Sequence, residues 1–465
     1  MFRLPTPRPV VDKNEKRPYY ELFEEYCSWV IWNDKVNQYT LRFLPTIKRA
    51  GFWYVYKDGV YELADQSEID ILYFNAMEMF GIHTTTNQLN FCMTKLKAWT
   101  RMNITDWKDH ESVYENNLDG LWHYATKTLL KHTPKLMYKR QSPRHYFADV
   151  VEIPPELIKL LQIFPKQHHR DNFIKFLLMV VHKKIKWGKF LFLYGKTGAG
   201  KSTILQIFSA LYGKKNSSKT VLSSFGQRFG LDHMYDKRCN VSPDVPTVEI
   251  NPWVIATMKT LTGNDGDIPI ETKGGTKFMY PVQCFIVFGI QELVGFTNEA
   301  EKEIDSWMKR VVLGECPNMQ EEDEEFNESI LDPDLLDRIY SWALNTTPQR
   351  FYEPGKEKEW IRENKEEWLL KSNPILAILK ENYEYCATDI TETDEGIKAP
   401  ITQSILCFEV EKVVTAALKE EGNLVPKQLR NAITRAFNVM FIGRSDRRGS
   451  NASWENVVEK RRDEV

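Results

Sequence analysis

The chain has 465 residues, 42% of them hydrophobic and 12% aromatic, and a formal net charge of −2. That length suits two to four domains with real cores. The near-neutral balance excludes a protein coated in basic surface, so any nucleic-acid contact must be local to a channel or one helix face. The seven cysteines, at 27, 92, 239, 284, 316, 386 and 407, include no C-x-x-C pair, which gives no zinc signature and fits unbridged thiols in a reducing compartment. The longest apolar run, residues 176–181, is far too short to span a bilayer, and no signal peptide is evident. A cytoplasmic protein without a membrane partner is expected.

Residues 1–17 are rich in proline and charge and read as a loose arm. Aromatic and aliphatic residues recur with helical spacing over 19–32. Residues 52–63 read as a hairpin whose Asp58-Gly59 pair suits a tight turn between two aromatic strands. Residues 67–80 and 88–101 read as amphipathic helices, and 118–147 as mixed and strand-rich. This first third, 1–150, is taken as a mainly helical to mixed domain. No acidic pattern of a nucleotidyl transferase stands out in it. Its tyrosines and tryptophans would either stack bases or pack a core.

Pro154-Pro155 opens a new unit, with helices expected over 156–163 and 172–184. His168-His169 lies between them with no further ligand-type residues nearby in sequence, so it gives no metal signature. Then comes Lys189-Phe-Leu-Phe-Leu-Tyr-Gly-Lys-Thr-Gly-Ala-Gly-Lys-Ser-Thr203, a buried strand, a glycine-rich turn and the start of a helix. Gly195, Gly200, Lys201 and Ser202 fit G-x-x-x-x-G-K-[ST], the phosphate-binding loop pattern. Its glycines let backbone N–H groups close around phosphates where a Cβ would crowd them. The loop residues Gly195, Lys196, Thr197, Gly198, Ala199, Gly200, Lys201, Ser202 and Thr203 are the candidate ATP site. Lys201 would reach the terminal phosphates, the Ser202 hydroxyl would face Mg²⁺, and the helix N-terminus would add positive potential. Ile204, Leu205, Ile207, Phe208 and Leu211 repeat at helical spacing, and Gly213 is a plausible stop.

A phosphate-loop ATPase needs a carboxylate at the end of a neighbouring strand, to hold Mg²⁺ through water or to polarise the attacking water. Asp244, in Asn240-Val-Ser-Pro-Asp-Val-Pro246, is the candidate, although an Asp in a proline-flanked turn reads equally well there. Residues 253–261 read as a helix. Residues 262–280 then read as a turn and a hairpin with a Gly-Gly tip, near which lie Lys273 and Lys277. Such lysines suit phosphate contact without base specificity, or simply a solvated hairpin. Residues 283–289 read as another buried strand, followed by Gln291, placed to orient the attacking water or sense the γ-phosphate. Lys309 and Arg310 stand just ahead of a further apolar strand. Arg310 reads as an arginine finger acting on a neighbouring subunit's ATP, or as a surface arginine in an ion pair.

Residues 321–325 form an acidic run, read as a solvated loop. Helices are expected over 327–344 and, densely charged, over 353–371. In 428–437, Leu429, Ala432, Ile433 and Ala436 share one face while Lys427, Arg430 and Arg435 share the other. A basic loop with Arg444, Arg447 and Arg448 follows, and Trp454 resumes an apolar pattern. That order reads as a winged helix, a module that binds nucleic acid or protein.

The order of these motifs resembles superfamily III (AAA+) helicases, in particular the poxvirus-type primase-helicases of phages, archaeal viruses and plasmids. The resemblance rests on the phosphate loop, residues 240–246, the Leu261-Thr-Gly-Asn-Asp265 turn, Ile270-Glu-Thr-Lys273 and the Lys309-Arg310 strand. It implies an α/β fold: a central phosphate-loop AAA+ domain at 151–345, the domain 1–150 before it, a charged helical connector at 346–372 and a winged helix at 373–465. It implies an ATP- and Mg²⁺-dependent DNA helicase in which hexameric rings draw one strand of forked duplex DNA through the centre. Lys201, Ser202 and Asp244 would serve ATP and Mg²⁺, Gln291 the sensor position and Arg310 the finger. Lys273, Lys277, Arg430 and Arg435 would contact DNA. Three features depart from the family: the sensor is usually Asn where Gln291 stands, the acidic motif often carries two acids where Asp244 stands alone, and no primase-polymerase domain is visible. That domain would reside on a partner, or the chain is a fragment. The other class of function is an ATP-regulated DNA-binding or loader protein, or a packaging motor, acting without unwinding.

Overall fold

The computed structural model describes residues 32–33, 38–39, 41–44, 51–79, 81, 83, 85–102, 113–183, 188–234, 237–243, 248–263, 268–271, 277–280, 284–318, 329–347, 354–385, 392–393, 396–397, 404–440, 445–446, 453–455 and 457–459. They fall into two compact units. The first gathers 1–246, 251–291 and 309–353, and the second 247–250, 292–308 and 354–465.

The first unit is an α/β domain built on a parallel sheet. Strands buried on both faces read as continuous apolar runs, and Phe-Leu-Phe-Leu-Tyr-Gly and Phe-Ile-Val-Phe-Gly-Ile are two such runs. They form β1 (Phe190–Gly195) and β4 (Phe285–Ile290); β2 (Ser217–Ser218), β3 (Cys239–Ser242) and β5 (Val311–Cys316) complete the sheet. The spatial order is β2-β3-β4-β1-β5, and every neighbouring pair is parallel. The chain leaves β1 for the β2 edge and returns to its other side as β5, so the order reverses at β1. In open parallel sheets, ligands bind beyond the carboxyl ends of the strands at such a point.

Both faces of the sheet are covered. Leu191 and Leu193 of β1 pack with Ile204, Leu205, Ile207, Phe208 and Leu211 of the helix Lys201–Tyr212. Phe173, Phe176, Leu177 and Val180 of the helix Gln167–Val181 join that core, as do Leu336, Ile339 and Tyr340 of the helix Pro333–Asn345. The alternate β1 residue Phe192 points to the opposite side, where its ring lies 5.7 Å from that of Phe288. Phe225 packs on the same Phe288 ring, also at 5.7 Å. At the sheet edge, fully buried Asn240 accepts from Ser218 Oγ (2.8 Å) and Thr220 N (2.7 Å) and donates to Thr220 O (2.9 Å). These three bonds fasten the two-residue strand β2.

The described part of the N-terminal third, expected to be mainly helical to mixed, carries both strands and helices. The strands Leu41–Leu44, Phe52–Lys57 and Val60–Ala64 form an antiparallel sheet, followed by the helices Gln66–Met79 and Thr86–Trp99. Asp58 and Gly59 both adopt positive φ, 45° and 100°, as the two-residue turn between aromatic strands requires. A second antiparallel sheet, Tyr114–Asn116, Leu121–His123 and Thr128–Leu130, has strands of three residues. Turn chemistry limits their length: Asn117 Oδ1 accepts from the amides of Asp119 and Gly120, each at 3.0 Å. The helix expected over 19–32 lies outside the described residues except for Trp32, which begins the short strand Trp32–Asn33.

In the second unit the helix Pro354–Ser372 packs on residues 292–308. Trp368 donates to Val294 O at 3.0 Å, and its ring lies 5.9 Å from that of Trp307. A separate core joins Ile375 and Leu379 of the helix Pro374–Asn382, Val410 and Val414 of Cys407–Glu420, and Ile433, Ala436 and Phe437 of Leu429–Met440. An antiparallel sheet places Ser453–Glu455 between Ser404–Leu406 and Ser445–Asp446. Among the described residues, no helix is long and apolar enough to cross a membrane.

Candidate functional site

The carboxyl end of β1 is the centre of the candidate site. Gly195 closes the strand with φ 139°, and a Cβ there would lie 1.9 Å from the carbonyl oxygen of Cys316 on β5. No side chain fits between the two strands. Gly200 then takes the left-handed conformation, φ 78°, as the N-cap of the helix Lys201–Tyr212. The loop turns through Ala199 N donating to Lys196 O at 3.3 Å, and the helix begins with Ile204 N donating to Gly200 O at 3.2 Å. The first turn of a helix directs N–H groups that lack intrahelical acceptors toward its N-terminus, where they favour negative charge.

Lys201 is buried, at 8% exposure, although it carries an amine. Its Nζ donates to the carbonyls of Gly195 at 2.6 Å and Lys196 at 2.7 Å. The cation is thus folded back into the loop it follows. Lys196, Thr197, Gly198 and Ser202 are exposed at the mouth, Thr203 is half-buried, and Ala199 is buried beneath. Behind the loop, burial pushes the Cys316 thiol up to about 12, with nearby Lys201 acting in the opposite sense. Cys316 is therefore neutral packing.

The neighbouring strand tips converge on this loop. Register pairs Ile290 with Tyr194 and Ser242 with Phe288. Gln291, just past β4, accepts from Gly195 N at 3.1 Å through its backbone oxygen, and the residue is exposed. A Cβ at Gly289 would lie 2.8 Å from Pro243 O, so the end of β3 closes on the end of β4 at the same edge of the sheet. Asp244 follows Pro243 but lies outside the described residues, as does Lys273.

Arg310 is not brought to the loop of its own chain. Its carbonyl accepts from Phe190 N at 2.9 Å, at the start of β1. Five residues of strand, about 16 Å at ~3.3 Å per residue, separate that end from Gly195. Lys277 begins the strand Lys277–Tyr280, paired antiparallel with Ile268–Glu271, as the hairpin reading expected. In the second unit, the guanidinium of Arg430 hydrogen-bonds Glu411 and that of Arg435 hydrogen-bonds Asn298.

Two features escaped the sequence reading. Arg228 grips Glu271 with two hydrogen bonds, 3.0 Å from Nε and 2.5 Å from Nη2, tying the hairpin stem to the segment after β2. Trp253, taken only as a helix start, is 75% exposed. A lone tryptophan followed by threonines at helical spacing is the signal that would have found it.

A family of unknown function, DUF5906, matches residues 193–303, which include the loop, β2 to β4 and the hairpin. No curated protein matches the chain at a significant level. Among solved structures, an apo form of the NrS-1 C-terminal region (305–718) is similar at 14% identity and a TM-score of 0.45, covering 96% of this chain and 100% of that one. The A form apo structure of the same region gives 12% identity, a TM-score of 0.44, and coverage of 90% and 96%. A structure of JCV helicase bound to a substituted acetamide gives 11% identity, a TM-score of 0.26, and coverage of 68% and 84%. Likenesses of this size leave function to be argued from the site itself.

Proposed function

We propose that the chain is an ATP-driven DNA helicase of the superfamily III (AAA+) type, from a virus or plasmid, working as a hexameric ring on single-stranded DNA at a fork. The observation that carries this reading is the Lys201 amine, held 2.6 and 2.7 Å from the carbonyls of Gly195 and Lys196 beneath a helix N-terminus. A helix N-terminus favours an anion, the Lys201 amine sits within the loop that would hold it, and the left-handed glycines 198 and 200 leave the loop mouth without bulk. This donor set fits a triphosphate. Lys201 would exchange its two carbonyls for terminal phosphate oxygens while the loop amides of 196–203 hold the remainder. Bound Mg²⁺, held by the Ser202 hydroxyl and by Asp244 through water, would offset phosphate charge. Gln291, hydrogen-bonded to the loop through its backbone, would orient the attacking water.

Arg310 would act on ATP held by a neighbouring subunit, in keeping with its place at the opposite end of β1. Hydrolysis would then change a subunit interface and move the hairpin bearing Lys273 and Lys277 along the DNA backbone. In the second unit, three helices with a sheet ordered Ser404–Leu406, Ser453–Glu455, Ser445–Asp446 support a winged-helix reading, with Arg430 and Arg435 on its DNA-facing helix. A separate primase or primase-polymerase would supply primers.

ATP hydrolysis with and without single-stranded DNA, measured beside unwinding of a 3′-tailed duplex, tests the proposal. DNA-stimulated hydrolysis with strand separation, both abolished in Lys201→Ala, is the expected result. Hydrolysis retained by Lys201→Ala would overturn the assignment of the loop. Stimulated hydrolysis without strand separation would transfer the reading to a helicase loader or packaging motor.

A further inference from the structure

On the Phe192–Phe288 side of the sheet, a cavity of about 440 Å³ opens between the segment 225–231, the helix Pro252–Gly263 and the hairpin stem at Ile268, Pro269 and Glu271. We propose that this cavity is a stacking pocket for one base of single-stranded DNA, with Trp253 as its principal ring. The proposal rests on the helicase reading and adds to it a contact with bases, where the hairpin lysines address only phosphates.

The lining of the cavity supports it. Trp253, Thr257 and Thr260 lie at i, i+4 and i+7, so one helix face presents an indole and two hydroxyl-bearing side chains to the cavity. Trp253 is 75% exposed, so its ring is open to a ligand. Across the cavity, the Arg228 guanidinium lies over the Phe229 ring, 4.9 Å from its centre. Phe229 itself is held at φ 66°, a conformation rare for a bulky residue and concentrated at working sites. Phe225, packed at a tilt against Phe288, fixes this segment to the sheet.

The charge balance selects the occupant. Glu271 neutralises Arg228 through two hydrogen bonds, so the described lining of the pocket carries no net positive charge for a phosphate. What remains is a mostly apolar cavity with a few polar groups, which suits a neutral heteroaromatic ring. Stacking of this kind tolerates every base, as a motor that reads no sequence requires.

The test is anisotropy of the full chain with labelled oligo(dT) and with an abasic-spacer oligonucleotide of equal length, in the absence of ATP. Wild-type protein should bind oligo(dT) more tightly. Trp253→Ala should weaken oligo(dT) binding about tenfold and leave abasic binding within about twofold, while Trp253→Phe restores most of the loss. Thermal melting of the variants checks that this exposed position leaves the fold intact. Unchanged oligo(dT) binding by Trp253→Ala overturns the proposal, as does an equal loss on both oligonucleotides. Loss of ring assembly in sedimentation with oligo(dT) binding retained also overturns it, and assigns Trp253 to a second copy of the chain. Those three outcomes leave the helicase reading standing. Wild-type protein that hydrolyses ATP but binds neither oligonucleotide would sink both proposals.

Discussion

The amide nitrogen of Gly195 donates to the carbonyl oxygen of Gln291 at 3.1 Å. One backbone bond therefore joins the first glycine of the loop to the residue that follows β4. Because the link runs through the main chain of Gln291, it does not depend on the side chain, which is exposed. Position and chemistry at this point can be separated by mutation.

Gln291→Ala should leave the fold within ~0.5 kcal/mol of wild type, since the bond to Gly195 survives and the position is exposed. If the amide orients the attacking water, kcat for ATP should fall by about a hundredfold with nucleotide affinity unchanged. Steady-state hydrolysis and equilibrium nucleotide binding check the two halves. Equal kcat in variant and wild type would remove Gln291 from catalysis.

Gly195→Ala carries a steric prediction that does not depend on the reaction. The added methyl would meet Cys316 O at 1.9 Å at a φ of 139°. Separation of β1 from β5 or distortion of the loop should cost about 3 kcal/mol. Chemical denaturation reads this directly, and loss of nucleotide binding should accompany it. Wild-type stability would mean that the two strands part easily here.

Arg310→Ala should lower hydrolysis by about a thousandfold while nucleotide still binds. Its place beside Phe190, at the far end of β1 from Gly195, prevents it from serving its own loop. Mixing Arg310→Ala with Lys201→Ala subunits should thus restore some turnover at interfaces that pair an intact loop with an intact arginine. Titration of the mixing ratio measures this; recovery at no ratio argues against action across the interface.

His169 gives the fold a dependence on acid. It lies on the helix Gln167–Val181 at 1% exposure, and its Nδ1 accepts from Glu315 N at 3.2 Å. Burial, then the neighbouring His168 and Lys166, push its pKa down to about 2 from 6.5. The unfolded chain takes up this proton near pH 6.5 and the folded chain does not. The associated stability is whole above that pH and is lost as pH falls toward 2. Between pH 6 and 4, wild type should lose about 1.4 kcal/mol per pH unit relative to His169→Gln. Paired denaturation curves across that range check the slope, and parallel curves would contradict the assignment.

The loop, its flanking strand and the hairpins were legible because each is written locally. An apolar run of six residues, glycines at required turns and Asp58-Gly59 between aromatic strands need no distant partner to be read. The small strands of 114–130 were harder, since Asn117 and other turn formers break the pattern every few residues. What escaped altogether depends on long-range pairing. Arg228 meets Glu271 across the chain, and Trp307 meets Trp368 across a whole strand and helix, so residues 292–308 join a unit that composition had not delimited. Arg430 and Arg435 do lie opposite the buried Ile433–Ala436 face, but sequence did not reveal their contacts with Glu411 and Asn298.

The order β2-β3-β4-β1-β5 also governs how the chain can be made. The first strand of the sheet to be synthesised is β1, yet both of its neighbours arrive roughly a hundred residues later, and such distant pairing is slow to form. Until β4 and β5 emerge, Phe-Leu-Phe-Leu-Tyr has two open edges. A nascent chain halted before residue 285 would hold the complete loop sequence and nowhere to dock it, and would be prone to aggregate. The candidate loop is therefore completed late in synthesis, when β5 closes against Gly195.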